Sequence, residues 1–198
     1  MTAAVFPLED LSLPGPVADP IVSERLRLIS MTPAFLRASL QGRLNEAEEE
    51  LRLSLPSGWP GDAADVLSLR LAQLEAKPVL QPWLLRAMVL REANNTIGHI
   101  GFHTAPGASY LEPYSPGAVE FGFTVYPPFH RQGYAREASL ALMHWARSTH
   151  GVQKFVLTIS PDNIPSQALA AQLGFIRIGS HVDEIDGLED VLEYQGSA

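Results

Sequence analysis

The stretch "AVEFGFTVY" (118–126) alternates cleanly, with Val119, Phe121, Phe123 and Val125 on one face and Glu120, Gly122 and Thr124 on the other. Pro127 and Pro128 end that run. From 134 to 149 the apolar residues Ala138, Ala141, Leu142 and Trp145 recur at helical spacing, as a core-facing stripe does. "KFVLTIS" (154–160) then returns to a strand pattern. Strand, helix and strand in this order bring the chain back in its original direction, so 118–160 predicts a parallel pair joined by a helical crossover.

The rest of the chain fits around that unit. "IVSERLRLIS" (21–30) alternates, with Leu26 and Leu28 opposite Arg25 and Arg27, and predicts a half-buried strand. A helix is expected from Thr32 as N-cap, with Pro33 in its first turn and Gly42 past its end. A second follows with an acidic run, Glu46, Glu48, Glu49 and Glu50, that reads as a solvated face. After the breakers of "PSGWPGD", a third repeats helical spacing through Val66, Leu69, Leu71 and Leu74. Strands 83–92 and 96–105, joined by Ala93-Asn94-Asn95, predict a hairpin, and 106–117 is a loop by composition. A helix near 163–173 and strands 174–181 and 189–195 complete the order. The class is α/β (α+β), with a mixed, mostly antiparallel sheet of about seven strands flanked by helices. Residues 1–20, with four prolines, read as an irregular arm, and 21–198 as one domain.

Composition narrows the function classes. There is no cysteine, which removes disulfides, thiolate metal sites and a cysteine nucleophile and fits a cytoplasmic protein. No window approaches 18 uninterrupted apolar residues, so no membrane span is expected. The formal net charge of −8 argues against nucleic acid as a partner and mildly favours cationic ones such as amines.

The chemistry gathers at "FHRQGYA" (129–135). Gly133 stands where the long helix starts, and a helix start offers unpaired backbone N–H groups and the positive end of its dipole. Without a Cβ, Gly133 lets an anion approach the backbone, and His130, Arg131 and Arg136 add positive charge. A diphosphate cradle fits this pattern; a tight helix start with no ligand fits it too. Neither a Walker loop nor a three-glycine dinucleotide fingerprint is present. His99 and His103 share a strand face, but no third ligand stands near and no metal is expected.

"FHRQGYA" after "VEFGFTV" resembles the acetyl-coenzyme A loop of the GNAT superfamily of N-acetyltransferases, with Gly133 and Ala135 at its small positions. "DNIPSQALAAQLGF" (162–175) resembles a second segment of that family, and "SERLRL" is similar to the first strand of its ribosomal-protein N-terminal acetyltransferase branch. The resemblance spans roughly residues 23–195. It implies acetyl-CoA as co-substrate, with no metal. Its pyrophosphate would lie on the loop His130, Arg131, Gln132, Gly133, Tyr134 and Ala135, and its pantetheine along Phe123, Thr124 and Val125. Asn163 would bond the pantetheine, and Ser166 would sit near the sulfur. Glu120 takes the position where many relatives keep a general base. Two departures stand out: His130 replaces the usual Gln or Arg, and Ala170 replaces a tyrosine acid, which leaves catalytic Ser166, another tyrosine or solvent as the acid for the departing thiolate.

The activity so implied is acetyl transfer to a primary amine, a small molecule or a peptide N-terminus, by direct attack in a ternary complex. The alternative is a GNAT-like module that binds acyl-CoA without turnover. An amine with a pKa of about 8 to 10.4 is protonated at neutral pH and needs a base. Glu120 is expected to serve if burial raises its pKa toward neutrality. It is equally placed to pair with Arg27, and Asn163 to cap its helix. Trp59, an aromatic between breakers, is a candidate for a substrate entrance. The acceptor is expected between segment 32–77, loop 106–117 and the Glu120 end of the central strand, in a monomer or a homodimer.

Overall fold

A computed structural model of the chain describes residues 18–183 and 187–196. Its strands are β1 (Ile21–Val22), β2 (Leu26–Ser30), β3 (Arg86–Leu90), β4 (Thr96–Phe102), β5 (Val119–Val125), β6 (Phe155–Ile159), β7 (Phe175–Asp183) and β8 (Gly187–Tyr194). They form one eight-stranded sheet in the order β1-β2-β3-β4-β5-β6-β8-β7. All neighbours run antiparallel except β5 and β6, the predicted crossover pair. The helices are α1 (Pro33–Leu40), α2 (Leu44–Leu51), α3 (Ala64–Ala76), α4 (Tyr134–His150) and α5 (Ile164–Leu173).

The extra strand comes from 21–30, which is a small hairpin and not one strand. Ile21 pairs with Leu28, and Ser23 closes the turn by donating its amide to the Leu26 carbonyl. Glu137 of α4 holds that turn, accepting from the Ser23 hydroxyl at 2.7 Å and from the Arg25 amide at 2.7 Å. Alternation persists through a tight hairpin, so periodicity alone does not show the fold-back. The predicted arm falls largely outside the described residues.

Two apolar layers sandwich the sheet. Leu26, Leu28, Phe102, Phe121 and Phe155 pack with α4 residues Ala138 and Leu142. On the other layer Ile29, Met31 and Val89 pack with Phe35, Leu36, Leu67 and Leu74 of α1 and α3. Thr32 caps α1 as expected, accepting from the Phe35 amide at 3.1 Å. The α3 stripe is a correction. Leu69 is 54% exposed, whereas Leu67 and the charged Arg70 turn inward. That helix is apolar on several sides, so its sequence does not fix its rotation. Arg70 tolerates burial because Nη1 donates to Gln73 Oε1 at 2.8 Å and to the His103 carbonyl at 3.3 Å. Among the described residues, no helix is long and apolar enough to cross a membrane.

Candidate active site

The parallel pair is short. β5 meets β6 only at Val119–Phe155 and Glu120–Val156, while on its other side it pairs with β4 as far as Val125. Beyond Glu120 the two strands part, leaving the β6-facing edge of Phe121–Val125 without a strand partner among the described residues. Because the strands are parallel, the gap opens at their carboxyl ends, where the starts of α4 and α5 stand. A crevice at the carboxyl ends of parallel strands is a common ligand position in α/β sheets.

At the first of these helix starts, Gly133 is the N-cap of α4 with φ +82°, a left-handed conformation that glycine adopts without penalty. Arg131 is also left-handed, with φ +58°. None of the backbone amides from Arg131 to Arg136 has a protein acceptor among the described residues. These include the amides assigned to the pyrophosphate, and they make an anion-ready helix start. Arg25 braces the loop from 107 residues away in sequence, donating Nη1 to the Gln132 carbonyl at 3.0 Å. It also pairs with Glu137 at 2.6 Å and lies over the Tyr134 ring at 4.4 Å. His130 folds back onto the gap, its Nε2 lying 2.6 Å from the Val125 carbonyl oxygen.

Beside the gap lies a cavity of about 1100 Å³, walled by the segment around Trp59, by β4 and β5, and by 126–130. Phe123, Thr124, Val125 and His130 belong to its wall; Arg131 to Ala135, Asn163 and Ser166 do not. Trp59 is buried in the wall, edge-on to Tyr126 at 6.4 Å. Loop 106–117 supplies no wall residue, although its Tyr110 reaches Glu120.

Glu120 is only 3% exposed. The Thr158 hydroxyl donates to its Oε1, and His103 Nδ1 lies 3.4 Å from the same oxygen. Burial pushes the Glu120 pKa up, but the His103 hydrogen bond and charge, Thr158 and Tyr110 together outweigh it and hold it below the ordinary carboxylate value. The expected rise toward neutrality is therefore reversed. The Tyr110 phenol, raised by burial and then by Glu120, stays neutral. Arg27 pairs with Asn94 instead of Glu120. His99 is buried, and burial followed by the charge of Arg70 lowers its pKa to about 4.

A model of the acetyltransferase (GNAT) domain matches residues 25–176, most of the chain. The chain belongs to the GNAT family. It is 26% identical over 158 residues to the uncharacterized N-acetyltransferase YjdG of Bacillus subtilis, covering 78% of this chain and 88% of that protein. To the uncharacterized N-acetyltransferase YnaD of the same organism it is 28% identical over 92 residues, 46% of this chain and 49% of YnaD, so that match spans about half of YnaD. Two solved structures share the GNAT fold. One, from Bordetella pertussis and provisionally named a GnaT-family acetyltransferase, superposes with a TM-score of 0.65 at 19% identity, covering 89% of this chain and 99% of its own. The other, from Vibrio cholerae and provisionally named a ribosomal-protein-serine acetyltransferase, has a TM-score of 0.60 at 18% identity, with coverages of 89% and 97%.

The second GNAT segment sits at the start of α5. Asn163 is its N-cap, accepting from the Ser166 amide at 3.2 Å, so the capping role is real. Ser166 is partly exposed, and its hydroxyl has no hydrogen-bond partner among the described residues. Ala170, at the position where many GNAT relatives carry a tyrosine, is completely buried. Sequence reasoning missed His103 as a partner of Glu120, along with Tyr110, Thr158, Arg70 and Arg25. Only His103 left a trace, in its shared strand face with His99.

Proposed function

We propose that the protein is an N-acetyltransferase that moves the acetyl group of acetyl-CoA to a primary amine by direct attack in a ternary complex. The observation that carries this reading is the β5 edge without a strand partner among the described residues, opening between two helix starts beside a cavity of about 1100 Å³. The free amides of Arg131–Arg136 suit a diphosphate. The edge at Phe123–Val125 suits the amide-bearing pantetheine arm, with Asn163 and Ser166 on the facing helix start. Bound there, acetyl-CoA supplies an activated acyl group on a thiol, and no protein nucleophile is required.

The cavity wall refines the acceptor. Trp59, Tyr126, Phe123, Val66 and Leu85 make it largely apolar, and Arg70 is its buried charge. The net charge of −8 is therefore a property of the outer surface, and the wall favours a neutral body behind the reacting amine over a polyamine. A peptide N-terminus meets that description, in keeping with the Vibrio cholerae relative's name, and so does an aromatic or aliphatic small-molecule amine.

Incubation with acetyl-CoA and an amine panel, followed by thiol release and thermal shift, tests the reading. At a concentration 100 times its Kd, acetyl-CoA should add about 2.7 kcal/mol of stability, and neutral-bodied amines should release thiol faster than polyamines. No stabilisation by any CoA would remove the proposal. Gly133→Val tests the loop. A branched residue at φ +82° costs roughly 1–2 kcal/mol of fold stability and sets its Cβ 3.4 Å from Nη2 of Arg25, which braces the proposed diphosphate loop. The variant should fold with a slightly lower Tm and lose most of the acetyl-CoA stabilisation; an unchanged ligand shift would show that the diphosphate lies elsewhere.

A further inference from the structure

We propose that His103 takes the proton from the acceptor amine and that Glu120 positions it, an inference that rests on the acetyltransferase reading. Glu120 is nearly sealed from solvent, and its Oε1 already faces Thr158 and His103. Three histidines line the cavity. His99 is buried with its Nδ1 unpartnered, and His130 is bound through Nε2 to the Val125 carbonyl. His103 is the one whose ring is open, with 36% of its side chain exposed.

Its orientation suits the task. Nδ1 faces the Glu120 carboxylate at 3.4 Å, which leaves Nε2 as the working nitrogen. Nε2 stands over Gly122, where an added Cβ would come within 3.0 Å of it. Gly122 lies just beyond Glu120, the last β5 residue paired with β6, so Nε2 overlooks the beginning of the gap. Of the charged and titratable groups, Glu120 on β5 faces the ring, Arg70 of α3 donates to the His103 carbonyl, and Tyr110 of loop 106–117 reaches the same Glu120 carboxylate. The pair has the geometry of a base held by a carboxylate, with the carboxylate behind and the open nitrogen toward the reactants.

The step balances. The ammonium proton passes to His103 Nε2, and the freed amine forms an N–C bond to the acetyl carbonyl carbon. The C–S bond then breaks, the nitrogen gives up its second proton to solvent and becomes a neutral amide, the thiolate leaves and takes a proton from solvent, and His103 returns its proton to water, so that one proton is released per turnover. His103 is the catalytic residue in this scheme, and Glu120 acts through it.

The test compares H103Q, H103A and E120Q with the wild type in kcat and KM across pH, alongside acetyl-CoA thermal shifts. General-base loss is worth about 10²–10⁴-fold. H103Q should therefore lose kcat by about that factor near neutral pH, with KM and acetyl-CoA stabilisation little changed. It should recover as pH rises and the amine deprotonates by itself. Added imidazole should restore part of the rate of H103A, which a purely structural role would not allow. E120Q should lose kcat by a smaller factor, without rescue by imidazole. If the wild type turns over but H103Q matches its kcat and pH profile, the inference is overturned while the acetyltransferase reading stands. If the wild type binds acetyl-CoA and acetylates no amine, both are overturned.

Discussion

Gly98→Ala should lower the stability of this fold by roughly 3 kcal/mol or more, at the upper end of what overpacking costs. A Cβ at position 98 would stand 2.1 Å from the Thr124 carbonyl oxygen, 3.0 Å from the Val125 Cα and 3.1 Å from the Thr124 carbonyl carbon. All three obstacles are backbone, so no rotamer change relieves them. β5 itself must move away from β4, breaking the ladder that pairs Gly98 with Val125 and His99 with Thr124. At this end β5 has no strand partner on its other side among the described residues. The displaced strand would therefore intrude on the gap that carries the proposed chemistry. For a chain of this size the expected loss corresponds to a fall of roughly 6–12 °C in Tm. Gly122→Ala is the contrast: among the described residues the only atoms a Cβ there would meet belong to the His103 ring, with Nε2 at 3.0 Å, and a ring can turn. That variant should unfold close to the wild-type Tm while losing turnover. A Gly98→Ala protein that melted within about 2 °C of wild type would show that the β4–β5 ladder yields far more easily than its geometry implies.

The contrast between these two glycines also shows what the sequence could and could not carry. Alternation in 118–126 revealed which β5 residues share a face, and the proline pair and Gly133 revealed where the next helix begins. Those are local signals, set by backbone periods of two and 3.6 residues. The length of the β5–β6 ladder is not local. It stops after two residue pairs, and nothing in either strand's own pattern encodes that. The same distinction divides the site. Gly133 and Asn163 were legible because caps and turns leave residue-type signatures. The environment of Glu120 was not, since Tyr110, His103 and Thr158 reach it from a loop, a strand end and a neighbouring strand. Burial of Glu120 was foreseeable from its place on the central strand, but the sign of its pKa change depended on those partners. The phase of α3 was hidden for another reason: with apolar residues on several sides, only packing in the layer with α1 and Trp59, and the Arg70 bond to the His103 carbonyl, decide that Leu67 and Arg70 face inward.

His99 should make the protein lose stability as pH falls from about 6.5 to about 4. Its pKa is lowered from 6.5 to about 4, by burial first and by the charge of Arg70 second. The unfolded chain therefore binds a proton at this residue across that interval and the folded chain does not, so stability rises with pH there and is lost on acidification. The full span corresponds to roughly 3 kcal/mol, all of it present above pH 6.5 and none of it below about pH 4. Glu120 acts in the same direction but in a lower window. With its pKa held below 4.5, its contribution is present above that value and is lost as pH falls through the folded one. His99→Phe separates the two, keeping a ring against Tyr126, which His99 meets edge-on at 6.3 Å, while removing the titration. It also removes the buried Nδ1 that has no partner among the described residues. Denaturant unfolding at intervals between pH 4 and 7 should give a wild-type stability curve that falls more steeply than that of H99F, the two differing in slope only inside the window. Parallel curves would mean that the imidazole titrates alike in both states, and hence that water reaches it in the folded protein. A neutral His99 is also what allows Arg70 to sit in the same wall, since two adjacent buried cations would repel each other.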